Sequence, residues 1–223
     1  MNIASYIDHT LLKPTTTNDD IKKLCDEAAQ YKFAAVCVPP PLVRKARIVL
    51  RGSDVKVATV IGFPFGYSIA RAKIFEVQQA IQDGADELDV VINLIALKNN
   101  AWNYLEQEME HIVEAIHKNE RQIKVIIESG VLTPEEIIKC CDIYAKLKVD
   151  FLKTSTGYAE KGATLEAVQL MREHLPSDIK IKASGGIRTY EFARQLIGAG
   201  ADRLGCSASV AIVQGEEATG GGY

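Results

Sequence analysis

Gly84-Ala85-Asp86-Glu87-Leu88-Asp89 returns as Gly200-Ala201-Asp202-Arg203-Leu204-Gly205, and Val149-Asp150-Phe151-Leu152-Lys153 falls in the same register. Each copy leads into a short β-type run, so the three mark equivalent strands and make Asp89, Lys153 and Gly205 equivalent positions. Outward from them, segments rich in β-branched and aromatic residues recur at 5–8, 33–38, 56–61, 87–92, 123–127, 150–153, 179–182 and 203–205. Helical stripes fill the gaps: Ile74, Val77 and Ile81 on one, and Trp102, Leu105, Met109, Ile112 and Ile116 on another. Thr133-Pro134-Glu135-Glu136 reads as a helix start, with Thr133 as N-cap, Pro134 in the first turn and Glu136 reaching back.

Eight strands alternating with helices predict an α/β fold of the (β/α)8 TIM-barrel type, with residues 1–223 as a single domain. A doubly wound open sheet is the alternative, but no Gly-x-Gly-x-x-Gly follows the first strand. In a barrel, alternate strands share a layer. Asp89, Lys153 and Gly205 come from strands four, six and eight, and Lys182 from strand seven between the last two.

Composition narrows the function classes. The 223 residues carry a net charge of -3 with no basic stripe, so electrostatic capture of nucleic acid or an acidic membrane is not indicated. No signal-type N-terminus or membrane-length apolar run is present, which predicts a cytoplasmic protein. The five cysteines form no Cys-x-x-Cys and read as reduced thiols, and the four scattered histidines do not suggest a metal site.

The chemistry sits in two lysines. Lys153 closes an apolar strand ahead of Thr154-Ser155-Thr156-Gly157, and Lys182 leads into Ala183-Ser184-Gly185-Gly186. A free lysine titrates near ~10.4, so only about one amine in a thousand is neutral near pH 7.4, and lowering that by ~3 units takes ~4 kcal/mol. Burial and a second ammonium ~5 Å away on the neighbouring strand both favour the neutral, nucleophilic amine. Asp89 is the expected proton relay, with a structural ion pair as the alternative, and Asp8 is assigned a positioning role. The glycines of Ser184-Gly185-Gly186-Ile187-Arg188 and the Gly205-Cys206-Ser207 turn predict a phosphate site between the loops after strands seven and eight.

Five motifs together resemble one family. Asp8-His9-Thr10-Leu11-Leu12-Lys13-Pro14, Ile61-Gly62-Phe63-Pro64, Glu87-Leu88-Asp89-Val90-Val91-Ile92-Asn93, Lys153-Thr154-Ser155-Thr156-Gly157 and Lys182-Ala183-Ser184-Gly185-Gly186-Ile187-Arg188 are similar, in order, to the bacterial deoxyribose-phosphate aldolases. The resemblance implies a cofactor-free class I lyase that reversibly cleaves 2-deoxy-D-ribose 5-phosphate to D-glyceraldehyde 3-phosphate and acetaldehyde, in deoxyribonucleotide catabolism. It implies Lys153 as the Schiff-base nucleophile, Lys182 as its tuning partner and Asp89 as acid/base. Thr156, Asp8, Gly185, Gly186, Ile187, Arg188, Gly205 and Ser207 are then expected at the substrate and its phosphate, and a homodimer is expected. A phosphosugar isomerase or epimerase without covalent catalysis, or a non-catalytic phosphate-binding barrel, are the alternatives.

Two departures from the family pattern stand out. Ala208 replaces the second serine of a Gly-x-Ser-Ser turn, which removes a hydrogen bond worth ~0.5–1.5 kcal/mol unless Ser209 compensates. The stretch Tyr158-Ala159-Glu160-Lys161-Gly162 replaces a loop of smaller residues. Cys37 ends strand two at the same mouth and reads as a small packing residue, with a reactive thiol as the alternative. Residues 214–223 read as a flexible tail, whose Tyr223 would alternatively close over the mouth.

Overall fold

The computed structural model describes residues 2–215. Eight parallel strands close into a barrel in sequence order: β1 Ile7–Thr10, β2 Ala35–Val38, β3 Lys56–Ile61, β4 Glu87–Val91, β5 Gln122–Ile126, β6 Phe151–Lys153, β7 Lys180–Ser184 and β8 Arg203–Cys206. The ring of helices is α1 Asn18–Tyr31, α2 Val43–Val49, α3 Ala70–Asp83, α4 Leu94–Lys98, α5 Trp102–His117, α6 Pro134–Lys146, α7 Leu165–His174, α8 Tyr190–Gly198 and α9 Ser209–Gln214. The predicted (β/α)8 barrel is therefore the fold, with α4 as one extra turn ahead of α5.

Helix starts follow the local chemistry. Thr17 with Asp20 and Thr133 with Glu136 form reciprocal capping boxes, the second behind Pro134 as the sequence predicts. The α5 stripe of Leu105, Met109, Ile112 and Ile116 is buried against the barrel. No helix among the described residues is long and apolar enough to cross a membrane.

The aspartates of the internal repeat have a shared job. Asp86, Asp150 and Asp202 each stand just before an even-numbered strand, and each accepts a hydrogen bond from the backbone N–H of the strand before it, at Val57, Ile123 and Ile181 (2.8, 2.9 and 2.9 Å). The repeat is thus a clamp that sets strand register at three joints of the barrel.

Register then fixes the interior. Asp89 pairs with Lys124, and Lys124 with Phe151, so two strands on the ladder lies two residues behind Lys153. That offset is the stagger of tilted strands in an eight-stranded barrel. Applied around the ring, it sorts the inward side chains into three layers. Ala35, Glu87, Phe151 and Arg203 form the floor; Asp8, Ala58, Lys124 and Lys182 the middle; Cys37, Asp89, Lys153 and Gly205 the top. The expected sharing of a layer by Asp89 and Lys153 is a direct result of this stagger.

Most strand ends shift by one or two residues, β7 for instance running on to Ser184, and two differences matter most. The first strand starts at Ile7, because Ile3–Tyr6 winds into a 3-10 turn whose apolar residues pack inward. Asp8 is consequently inside β1 and does not close it. Gln214 belongs to α9, donating to the Tyr31 hydroxyl at 2.8 Å, so the predicted tail does not begin there. The rest of that prediction, including Tyr223, lies outside the described residues.

Candidate active site

Seven charged side chains enter the barrel from six strands and join into one ladder. On the floor, Arg203 reaches Glu87 (3.3 Å) and also Asp8 above it (2.6 Å). In the middle, Lys124 contacts Glu87 at 2.5 Å and Asp89 at 2.9 Å, and Lys182 contacts Asp8 at 2.5 Å and Asp89 at 2.7 Å. At the top, Lys153 Nζ lies 2.8 Å from Asp89 Oδ2. Asp8, Asp89, Lys124 and Lys182 are fully enclosed, while Lys153 is 3% exposed.

This ladder holds four cations, Lys124, Lys153, Lys182 and Arg203, against three carboxylates, Asp8, Glu87 and Asp89. One ammonium is in excess, and an unpaired buried charge is resolved by deprotonation. Burial works against the charge on Lys124 and Lys182, yet their carboxylates hold both above the ordinary lysine range. For Lys153, burial and then the nearby Lys182 ammonium outweigh Asp89 and set the amine below that range. Burial also opposes ionisation of Asp89 and Asp8, but the surrounding cations hold both carboxyls well below the usual carboxylate range. The lysine nearest the mouth is therefore the one whose ammonium form is disfavoured.

The opposite wall is apolar and small. Leu12, Ala35, Cys37, Ala58 and Val60 form a separate cluster joined by Phe63. Tyr158 reaches over the mouth to this wall, donating to the Leu12 carbonyl (3.1 Å) and meeting the Phe63 ring edge-on at 5.4 Å.

A buried amine beside an ionised carboxylate and a second, charged lysine is equipped for imine chemistry. Residues 2–215 match the model of the DeoC/LacD family aldolases. The chain belongs to this aldolase family. It is 51% identical over 217 residues to a deoxyribose-phosphate aldolase of Thermococcus gammatolerans, covering 96% of both chains, and 49% identical over 220 residues to one of Streptococcus gordonii, covering 99% of both. Among solved structures it superposes with a TM-score of 0.89 on the tetrameric deoxyribose phosphate aldolase of Aeropyrum pernix, at 33% identity over 95% of this chain and 89% of that one.

In this DeoC/LacD aldolase the loops after β6 and β7 pack backbone against backbone. Gly185 and Gly186 both take positive φ (86° and 78°) after β7. A Cβ on Gly185 would lie 3.0 Å from the Gly162 Cα and 3.3 Å from that of Gly157, so the loops after β6 and β7 fit only as glycines. Gly186 faces open space, Arg188 and Ser207 are exposed, and Ile187 is buried. Gly205 lies at the top layer, where its lack of a side chain leaves the barrel open toward Lys153.

Three expectations shift. Asp8 stands in the middle layer beside Lys182 and below Lys153, as the shared anion of Lys182 and Arg203 and away from the loops after β7 and β8, because β1 is set two residues later than its apolar pattern suggests. Thr156 is committed to Glu128, donating to its carboxylate from both backbone N–H (3.2 Å) and hydroxyl. Ser209 does not replace the hydroxyl missing at Ala208: it is fully buried, donates to the Cys206 carbonyl at 3.0 Å and faces His9 at 2.9 Å.

Sequence reasoning missed Lys124, Glu87, Arg203 and Glu128. The first three were marked by charges within apolar strands, as in Ile123-Lys124-Val125, and by the i, i+2 pair Glu87 and Asp89. Glu128 carries the signal only in its backbone, a non-glycine at φ 56°. Burial pushes its carboxyl above the ordinary range, against the hydrogen bonds from Thr156 and the nearby Lys153.

Proposed function

We propose that this chain reversibly cleaves 2-deoxy-D-ribose 5-phosphate to D-glyceraldehyde 3-phosphate and acetaldehyde, with Lys153 as the Schiff-base nucleophile. The observation that carries the assignment is the charge excess of the interior, which falls on the one lysine that reaches the mouth.

In the cleavage direction, the neutral Lys153 amine adds to the aldehyde carbon of the open-chain sugar, and loss of water gives a protonated imine. A base takes the proton of the 3-hydroxyl, the bond between carbons 2 and 3 breaks, and its electron pair flows into the imine to leave an enamine. Asp89, ionised and within reach of both lysines, relays that proton through water. Protonation of the enamine carbon and hydrolysis release acetaldehyde and restore the amine. Lys182 stays charged and sets the protonation of its neighbour. The two-carbon fragment rests against the wall of Cys37, Val60 and Phe63. The phosphate is held by backbone N–H groups of residues 185–188 and 205–207, with Ser207 and Arg188 at its edge.

We place the enzyme in the cytoplasm, in keeping with five buried, unpaired thiols, and as a homodimer. The face we assign to the second copy carries the exposed, stacked Phe65 and Tyr67, continued by Ile95 and Tyr104.

Borohydride reduction in the presence of acetaldehyde, followed by peptide mass mapping, tests the chemistry. The expected result is an ethyl group on Lys153 and complete loss of trapping in Lys153→Ala. An enzyme that turns over the sugar phosphate with Lys153 unmodified by this treatment overturns the assignment.

A further inference from the structure

Asp8 and His9 are successive residues of β1, so they point to opposite sides of the barrel wall. Asp8 grips Lys182 and Arg203 inside; His9 is buried outside, between the wall and the helices. Its two ring nitrogens hold two different elements. Nε2 lies 2.8 Å from the Glu27 carboxylate of α1, and Nδ1 lies 2.9 Å from the Ser209 hydroxyl at the start of α9. The ring is further fixed edge-on against Phe33 at 5.2 Å, which stacks on Tyr31 at 5.7 Å.

Ser209 donates its hydroxyl hydrogen to the Cys206 carbonyl (3.0 Å) and faces His9 Nδ1 at 2.9 Å, so the ring and the turn meet at this one hydroxyl. The Ser209–Cys206 bond closes the turn that presents Ser207, and this turn carries one hydroxyl less than the Gly-x-Ser-Ser pattern. The chain Glu27, His9, Ser209, Cys206 therefore runs from an outer helix to the backbone of the strand-eight loop without touching the lysine ladder.

We propose that His9 is a positioning residue for the substrate's phosphate: through Ser209 it fixes the backbone of residues 206–209, so that β1 locates the reactive end of the substrate with Asp8 and its anionic end with His9. The inference rests on the phosphate being bound between the loops after β7 and β8, as in the function proposed above.

Two substitutions separate the arms of the ring. An asparagine amide occupies the place of Nδ1 and a glutamine amide that of Nε2, so H9N keeps a donor toward Ser209 and H9Q keeps only the contact with Glu27. The readout is the ratio of kcat/KM for 2-deoxyribose 5-phosphate to that for 2-deoxyribose. That ratio does not depend on the fraction of protein folded. H9Q and S209A are each expected to lower it about three- to tenfold, the effect of one hydrogen bond, and the double variant to lower it no further. H9N is expected to stay within twofold of the parent, and inorganic phosphate to inhibit H9Q more weakly by the same factor as the ratio falls. A parent that prefers the phosphorylated sugar and an H9Q variant that keeps this preference in full would overturn the role of His9 alone. Equal loss in H9N and H9Q would do so too, because it would trace the effect to packing. A parent with no preference for the phosphorylated sugar overturns the phosphate reading and this inference together.

Discussion

Lys153 and Lys182 are register partners on adjacent strands, and their amine nitrogens converge on one atom, Oδ2 of Asp89, at 2.8 and 2.7 Å. Two lysines sharing one carboxylate oxygen cannot both be fully compensated, and Lys182 has Asp8 as well. The arrangement divides the pair into one lysine whose charge is favoured and one whose charge is disfavoured.

Replacing Lys182 with glutamine removes the ammonium that disfavours protonation of Lys153 and leaves more of the Asp89 charge to attract a proton. The Lys153 amine must then titrate at higher pH. The acidic limb of the kcat/KM profile should move up by about one unit or more, with activity at neutral pH reduced accordingly. The measurement is the pH–rate profile, and a limb that stays in place would contradict the tuning role.

Asp8→Asn tests the ladder as a structural element. Against burial, Arg203 and the lysines hold its carboxyl below the ordinary carboxylate range, so the stability it contributes is present above about pH 4 and is lost as pH falls through the folded-state value. At pH 7 the variant leaves Lys182 and Arg203 short of an anion in a buried site, which costs roughly 3–5 kcal/mol. Urea midpoints should show this large deficit at pH 7 and a smaller gap between parent and variant at pH 3. A constant gap across that range would show that the Asp8 charge is not what the fold uses.

Cys37 lies in the top layer beside the lysines, but burial pushes its thiol up to about 11. At pH 8 its thiolate fraction is then at least about a hundredfold below that of an ordinary exposed cysteine. Native protein treated with iodoacetamide at pH 8 should leave Cys37 unlabelled for as long as it takes to label an unfolded control completely. Peptide mapping reads the result, and rapid labelling of the native chain would restore the reactive-thiol alternative.

The strands were legible because both faces of each are buried, which leaves dense runs of β-branched residues between helical stripes. Ser5-Tyr6 failed that test because the end of a 3-10 turn that runs straight into β1 reads as the strand's start. Lys153, Lys182 and Asp89 were legible from the strand repeat and the motifs around it. Lys124 and Arg203 were not singled out, since their significance comes from register: the two-residue stagger that brings Lys124 level with Lys182 and Arg203 level with Glu87 exists only in the closed barrel. Commitments of side chains were equally hidden. Nothing in the local pattern around Thr156 or Ser209 tells that one is tied to Glu128 and the other to His9.

The odd count of charges along the barrel axis also bears on the direction of the reaction. With Lys153 neutral, three cations face three anions and the interior is balanced. A protonated imine on Lys153 brings back the fourth positive charge, and electron flow from the breaking bond into that imine removes it again. The same imbalance that disfavours the Lys153 ammonium thus acts as a pull on the bonding electrons, and the interior returns to balance once the 3-hydroxyl proton has left through water.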